Sequence, residues 1–122
     1  MRSVRRYRPR AQAIPAARHH VADVLDGFDP DDVYAIQLMV SELATNCVRH
    51  GGTPFDLVID VRPQEVRVEV TDVGPGTPRV RSPGPTDPTG RGLKIVDSLS
   101  HQWGVETGPA HPGKRVWFTY RI

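Results

Sequence analysis

Hydrophobic positions change their period once along this chain, at the glycine pair Gly51-Gly52. Before it, apolar residues recur every three or four positions, which is the spacing of one helix face. Pro15 opens a short helix over residues 15–25 with Ala17, Val21, Val24 and Leu25 on one side, and Gly27 ends it. Asp29 then suits an N-cap, Pro30 suits the first helical position, and Asp31 and Asp32 suit the positive end of the helix dipole. From there Val33, Ile36, Val40, Leu43 and Cys47 fall on one stripe. The spacing predicts a helix of about twenty residues, stopped where Gly51 supplies a left-handed C-cap behind Arg49 and His50.

After the glycines the period is two. Phe55, Leu57, Ile59 and Val61 alternate with polar neighbours, as do Val66, Val68 and Val70 beyond the turn at Pro63-Gln64-Glu65, so a β-hairpin with one buried face is expected. Residues 77–89 form a Pro-, Gly-, Ser- and Arg-rich loop with almost nothing to bury. Gly90-Arg91-Gly92 leads into a helix of about ten residues carrying Leu93, Ile95, Val96 and Leu99 and ending near His101. Strands over residues 103–107 and 115–122 close the chain. Residues 1–14 show no strong period; residues 11–14 could add an edge strand, and the stretch before them reads as a loose arm. This order of helices and hairpins predicts an α+β sandwich with helices over one sheet face.

Size changes this picture little: 122 residues at 38% hydrophobic content fill one two-layer core. The expected organisation is a basic flexible arm over residues 1–13 and one domain over residues 14–122. Charge changes it more. Sixteen basic residues stand against fourteen acidic ones, but Arg2, Arg5, Arg6, Arg8 and Arg10 lie within the first ten positions. The remainder has eleven basic against fourteen acidic residues, which is not the footprint of a nucleic-acid binder. The single Cys47 excludes an internal disulfide and a cysteine-cluster metal site, and reads as a small core residue. No apolar run reaches membrane-spanning length and no signal peptide is visible, so a cytoplasmic protein is expected.

Three separated pieces carry polar chemistry. Glu42 and Asn46 stand one turn apart on the border of the long helix's apolar stripe, where both can face a shared cavity. Asp72-Val73-Gly74-Pro75-Gly76 follows the second strand, and Gly90-Arg91-Gly92-Leu93 opens the third helix. Each alone reads equally as a solvated pair, a turn and a glycine-rich helix start. Together they fit a nucleotide. Helix-opening glycines let free N–H groups approach phosphate, Mg²⁺ takes few protein oxygens, and Asn46 can be one of them. Glu42 can orient or deprotonate a nucleophile, while Asp72 can accept from an exocyclic amine beside Gly74 and Gly76.

These strings resemble the N, G1 and G2 boxes of the GHKL ATPases, whose nucleotide domains occur in gyrase B, heat-shock chaperones, histidine kinases and mismatch-repair proteins. The fuller runs Ser41-Glu42-Leu43-Ala44-Thr45-Asn46-Cys47-Val48-Arg49-His50-Gly51 and Gly90-Arg91-Gly92-Leu93-Lys94-Ile95-Val96-Asp97, with Trp103-Gly104-Val105, look most like the stand-alone anti-sigma factor serine/threonine kinases of bacteria. The resemblance implies a Bergerat ATP-binding sandwich whose mixed, mostly antiparallel sheet is covered on one face by helices. It also implies ATP and Mg²⁺ as cofactors, and an anti-sigma antagonist protein as phosphoacceptor. The kinase would sequester a sigma factor, which unphosphorylated antagonist releases, and a homodimer is compatible with this.

By the motifs, Glu42 would be the base and Asn46 the metal ligand. Asp72 would contact adenine, with Gly74, Gly76, Gly90, Arg91, Gly92 and Leu93 around the nucleotide. Arg49 and His50 match positions that contact phosphate or ribose, and they equally suit partners of the helix C-terminus. Two departures stand out. Where relatives carry Gly-x-Thr before the last strand, this chain reads Gly113-Lys114-Arg115, and Pro78, Pro83, Pro85 and Pro88 stiffen the loop. The competing reading is an ATP-binding interaction module without phosphoryl transfer. The catalytic half of a histidine kinase is disfavoured, since about forty residues before Glu42 cannot hold a phosphoacceptor hairpin and a sensor. No membrane partner and no direct nucleic-acid partner is expected.

Overall fold

A computed structural model describes residues 1–72, 88–108 and 111–122. The element order is β1 (Arg2–Tyr7), α1 (Ala13–Val24), α2 (Pro30–Asn46) with a π-helical turn (Cys47–Gly51), β2 (Phe55–Val61), β3 (Glu65–Asp72), α3 (Pro88–Leu99), β4 (Gln102–Gly108) and β5 (His111–Arg121). The strands form one sheet in the order β1-β2-β3-β5-β4, antiparallel at every pairing. The α+β sandwich expected from the sequence is present, with a fully antiparallel sheet in place of a mixed one.

Period-two burial builds the covered face. The register sets Leu57 beside Val70 and Val70 beside Val116, and Ile59 beside Val68 and Val68 beside Phe118. These side chains are buried against Ala17, Val21 and Leu25 of the first helical segment and Ile36, Met39, Val40 and Leu43 of α2. Val96 of α3 joins the same core. Each such large apolar side chain contributes about 1.5–3 kcal/mol on burial. Two side-chain bonds fasten α1 to α2: the Gln37 amide donates to the Arg18 carbonyl at 3.1 Å, and an Arg18 guanidinium N–H donates to Ser41 Oγ at 3.5 Å. Tyr120 Oη donates to Asp32 at 2.9 Å and ties the last strand to the first turn of α2.

Four local expectations need correction. The first residues are not a loose arm: Arg2–Tyr7 pairs along its whole length with β2. Residues 11–14 add no strand, because α1 begins at Ala13. The long helix does not stop at Gly51 but widens into the π turn, and Gly52, at φ +63°, takes the left-handed position. The third helix begins at Pro88, so Gly90, Arg91 and Gly92 belong to its opening turns instead of preceding it. Gly74, Gly76 and loop residues 77–87 lie outside the described residues. Among the described residues no helix is long and apolar enough to cross a membrane.

Candidate functional site

Asp29 Oδ1 accepts from the Asp31 N–H at 2.8 Å and caps α2, with Pro30 at its first position, so the start of this helix is set by short-range chemistry. Its far end carries the candidate residues. Thr45 Oγ1 donates back to the Ser41 carbonyl at 2.7 Å, and Ser41 Oγ donates to the Gln37 carbonyl at 2.8 Å. Such bonds hold these short side chains against their own helix. Glu42 is half-buried and lines an open groove of about 530 Å³ along α1 and α2, walled by Ile14, Arg18, Tyr34, Leu38 and Thr45 among others. Asn46 is half-buried one turn further on and is not part of that wall.

Beyond Asn46 the helix relaxes into the π turn, a local form that often marks functional sites. Arg49 on this turn is exposed. His50 is half-buried, and its Nε2 is buried without a hydrogen-bond partner among the described residues. A buried polar atom without a partner carries a free-energy cost that a bound ligand can remove. Gly52 then reverses the chain, and Thr53 Oγ1 donates to Asp72 Oδ1 at the end of β3. One hydrogen bond thus joins the segment that begins at Glu42 to the strand end that carries Asp72.

The surroundings of Asp72 are tightly filled. It stands opposite Phe55 in the hairpin, and the Tyr7 ring stacks on Phe55 with centroids 5.5 Å apart. Burial pushes the Tyr7 phenol's pKa up while the charge of Arg5 pulls it down, and its Oη is buried without a hydrogen-bond partner among the described residues. Gly113 of β5 crosses so close that a Cβ there would lie 1.9 Å from the Asp72 carbonyl oxygen. Position 113 therefore has no room for a side chain, and only glycine fits there. Leu93, expected near the nucleotide, packs against the core. Trp103 Nε1 donates to Asp97 at 2.7 Å and links β4 to α3, the helix that contains Gly90 and Gly92.

Sequence reasoning missed Thr53 and Tyr7, and it singled out Gly113 only as the first residue of Gly113-Lys114-Arg115, not for its contact with Asp72. The signal for Thr53 was present in the hairpin register: a strand start paired with Asp72 brings the residues just before Phe55 beside that carboxylate. For Gly113 the signal was a glycine at the expected start of the last strand, which marks close approach of another backbone. Tyr7 gave none, because its strand was not anticipated.

The family profile for the histidine kinase-like ATPase domain matches residues 7–120. A protein of Streptomyces coelicolor, the uncharacterized SCO4941, is 40% identical over an alignment of 73 residues, and the match covers 55% of this chain and 69% of that protein. The fold is similar to the crystal structure of the RsbU and RsbW domains of Rv1364c from Mycobacterium tuberculosis, with a TM-score of 0.71 at 19% identity. That match covers 98% of this chain and 32% of the other, so the chain spans about a third of the solved protein's length.

Proposed function

Since the chain belongs to the histidine kinase-like ATPase domain family, we propose that it binds Mg-ATP between the end of α2 and the end of β3. It passes the γ-phosphate to a serine or threonine of a small anti-sigma antagonist, and it holds a sigma factor when that antagonist is phosphorylated. The observation that supports this reading is the Thr53–Asp72 hydrogen bond, which brings the turn that follows the Glu42–Asn46 segment to a carboxylate able to accept from a purine amine.

The residues fit the nucleotide on three counts. His50 Nε2 is a buried polar atom without a hydrogen-bond partner among the described residues. Asp72 is clamped by Thr53 on its side chain and crowded by Gly113 at its backbone, so it is fixed before any base arrives. Mg²⁺ keeps waters and phosphates and needs only one or two protein oxygens, of which the Asn46 carboxamide can supply one.

When bound, Mg-ATP supplies an activated phosphoryl group whose charge the metal neutralises. Asn46 would hold the metal through its carbonyl oxygen. Asp72 would accept from adenine, and the first N–H groups of α3 around Gly90 and Gly92 would face phosphate. By the family resemblance Gly74 and Gly76, outside the described residues, would belong to the same site. Glu42 would take the proton from the incoming hydroxyl, and the groove it lines gives a polypeptide room to reach it. Arg49, exposed on the π turn, would meet phosphate or ribose from the solvent side.

Two variants test the assignment. Asn46→Ala should abolish Mg²⁺-dependent ATP binding in calorimetry, because phosphates left without their counter-ion repel one another. Glu42→Ala should bind ATP almost as wild type does while transfer falls by ~10²–10⁴, the usual range for losing a general base. Radiolabelled ATP with candidate antagonists from the same genome reads the transfer. If wild type binds ATP and a sigma factor yet labels none of a complete antagonist panel, the protein is an ATP-binding interaction module and Glu42 is not a base.

A further inference from the structure

We propose that the free edge of β1 is a docking site for an acidic extended segment of a partner protein, which would join the sheet as a sixth strand. β1 pairs with β2 alone among the described residues. Val61 N–H donates to the Met1 carbonyl at 2.7 Å and the Met1 amino group donates to the Val61 carbonyl at 3.1 Å, which fixes the phase of the ladder. In an antiparallel pair the bonded positions alternate, so Ser3, Arg5 and Tyr7 bond to β2. The N–H and C=O groups of Arg2, Val4 and Arg6 therefore point away from the sheet.

The side chains on those three residues define what can pair there. Arg2, Val4 and Arg6 lie on the sheet face that the helices leave uncovered, and Val4 is 55% exposed. On their other side β2 meets them with Asp60, Val58 and Asp56, and Arg6 holds Asp56 through two bonds at 2.8 and 3.2 Å. An incoming strand with acid, apolar residue and acid at alternate positions would repeat the pattern that β2 already presents to β1. Directly opposite cross-strand pairs of opposite charge are stabilising, and like charges in that place are not. A second copy of β1 centred on Val4 would set Arg2 against Arg6, so the edge selects against itself. Most sheets blunt such edges with charge; this edge bears one sign of charge, and among the five N-terminal arginines only Arg6 forms an ion pair in the described residues. Nucleic acid is less well matched, because Tyr7, the aromatic residue of β1, is engaged with Phe55 and the rest of the chain carries a net negative charge.

The test uses the full chain and a labelled peptide whose core reads Asp-Thr-Val-Thr-Asp. Fluorescence anisotropy should show binding that weakens from about 0.05 M to about 0.5 M salt. Replacing both acids with Asn should weaken it roughly fivefold to tenfold, as two cross-strand charge pairs predict. Hydrogen exchange should slow at the amides of Arg2, Val4 and Arg6. Val4→Pro removes an outward N–H without touching the β2 ladder and should eliminate binding. Arg2→Gln with Arg6→Gln, which leaves the backbone intact, should weaken it and keep the circular dichroism of wild type. Equal binding of a scrambled peptide of the same charge, or protection elsewhere than β1, overturns the proposal. So does tighter binding of a DNA duplex or RNA to the same arginines, or concentration-dependent protection of β1 without peptide, which would mark a dimer.

Discussion

His20 shows how much a single side chain can link. It is 7% exposed, and its Nε2 shares a 2.8 Å hydrogen bond with Ser3 Oγ, so it joins α1 to β1 across the edge of the core. Burial lowers its pKa below the ordinary histidine value, the charge of Arg5 lowers it further, and Asp23 opposes both. The folded protein therefore holds a neutral ring at a pH where the unfolded chain already takes up the proton. Stability from this residue is fully present above the ordinary value of ~6.5 and is lost as pH falls below it. Urea midpoints should drop between about pH 7.5 and about pH 5, and His20→Gln should reduce that slope; an unchanged slope would contradict the assignment. At this scale the sequence was partly legible. The N-cap at Asp29 and the inward valines of β3 could be read because their causes lie within a few residues. Thr53 and His20 could not, because each acquires its role from a partner nineteen or seventeen positions away.

Among elements, β1 was the one that hydrophobic pattern could not reveal. Arg2-Ser3-Val4-Arg5-Arg6-Tyr7 has no apolar face, since Val4 points to the open side and Tyr7 to the core. Its order comes from the hydrogen-bond template of β2, to which no local signal refers. Deleting residues 1–7 should accordingly destabilise the fold and leave β2 as a new edge. The lost Tyr7–Phe55 stack alone is worth ~0.5–1.5 kcal/mol beyond area burial, so the urea midpoint should fall clearly; a truncated chain as stable as the full one would show that the strand is ornamental. The π turn was equally hidden, since Gly51 and Gly52 can each take a left-handed conformation and the local sequence does not decide between them. By contrast α1, α2 and the β2–β3 hairpin were legible with their burial faces, because each repeats its period several times.

The whole molecule is assembled from distant parts: β1 on β2, β5 between β3 and β4, and Tyr120 bonded to Asp32 across 88 positions. Layer architecture followed from the order of elements, whereas strand order did not, because a hairpin read from sequence fixes only neighbours in the chain. One product of that order is the placement of the two tryptophans. In adjoining strands, Trp103 turns to the helical layer and bonds to Asp97 on α3, while Trp117 lies on the open face over Gly104, beneath the Arg67 guanidinium at 4.4 Å. The protein thus carries two built-in optical reporters, one for each face of its sheet. Mg-ATP engaging the start of α3 should shift the emission of Trp103 and leave that of Trp117 in place, so Trp103→Phe should silence the nucleotide response. A strand added at β1 lies on neither indole and should leave both spectra unchanged, which lets the two binding events be followed separately in one sample.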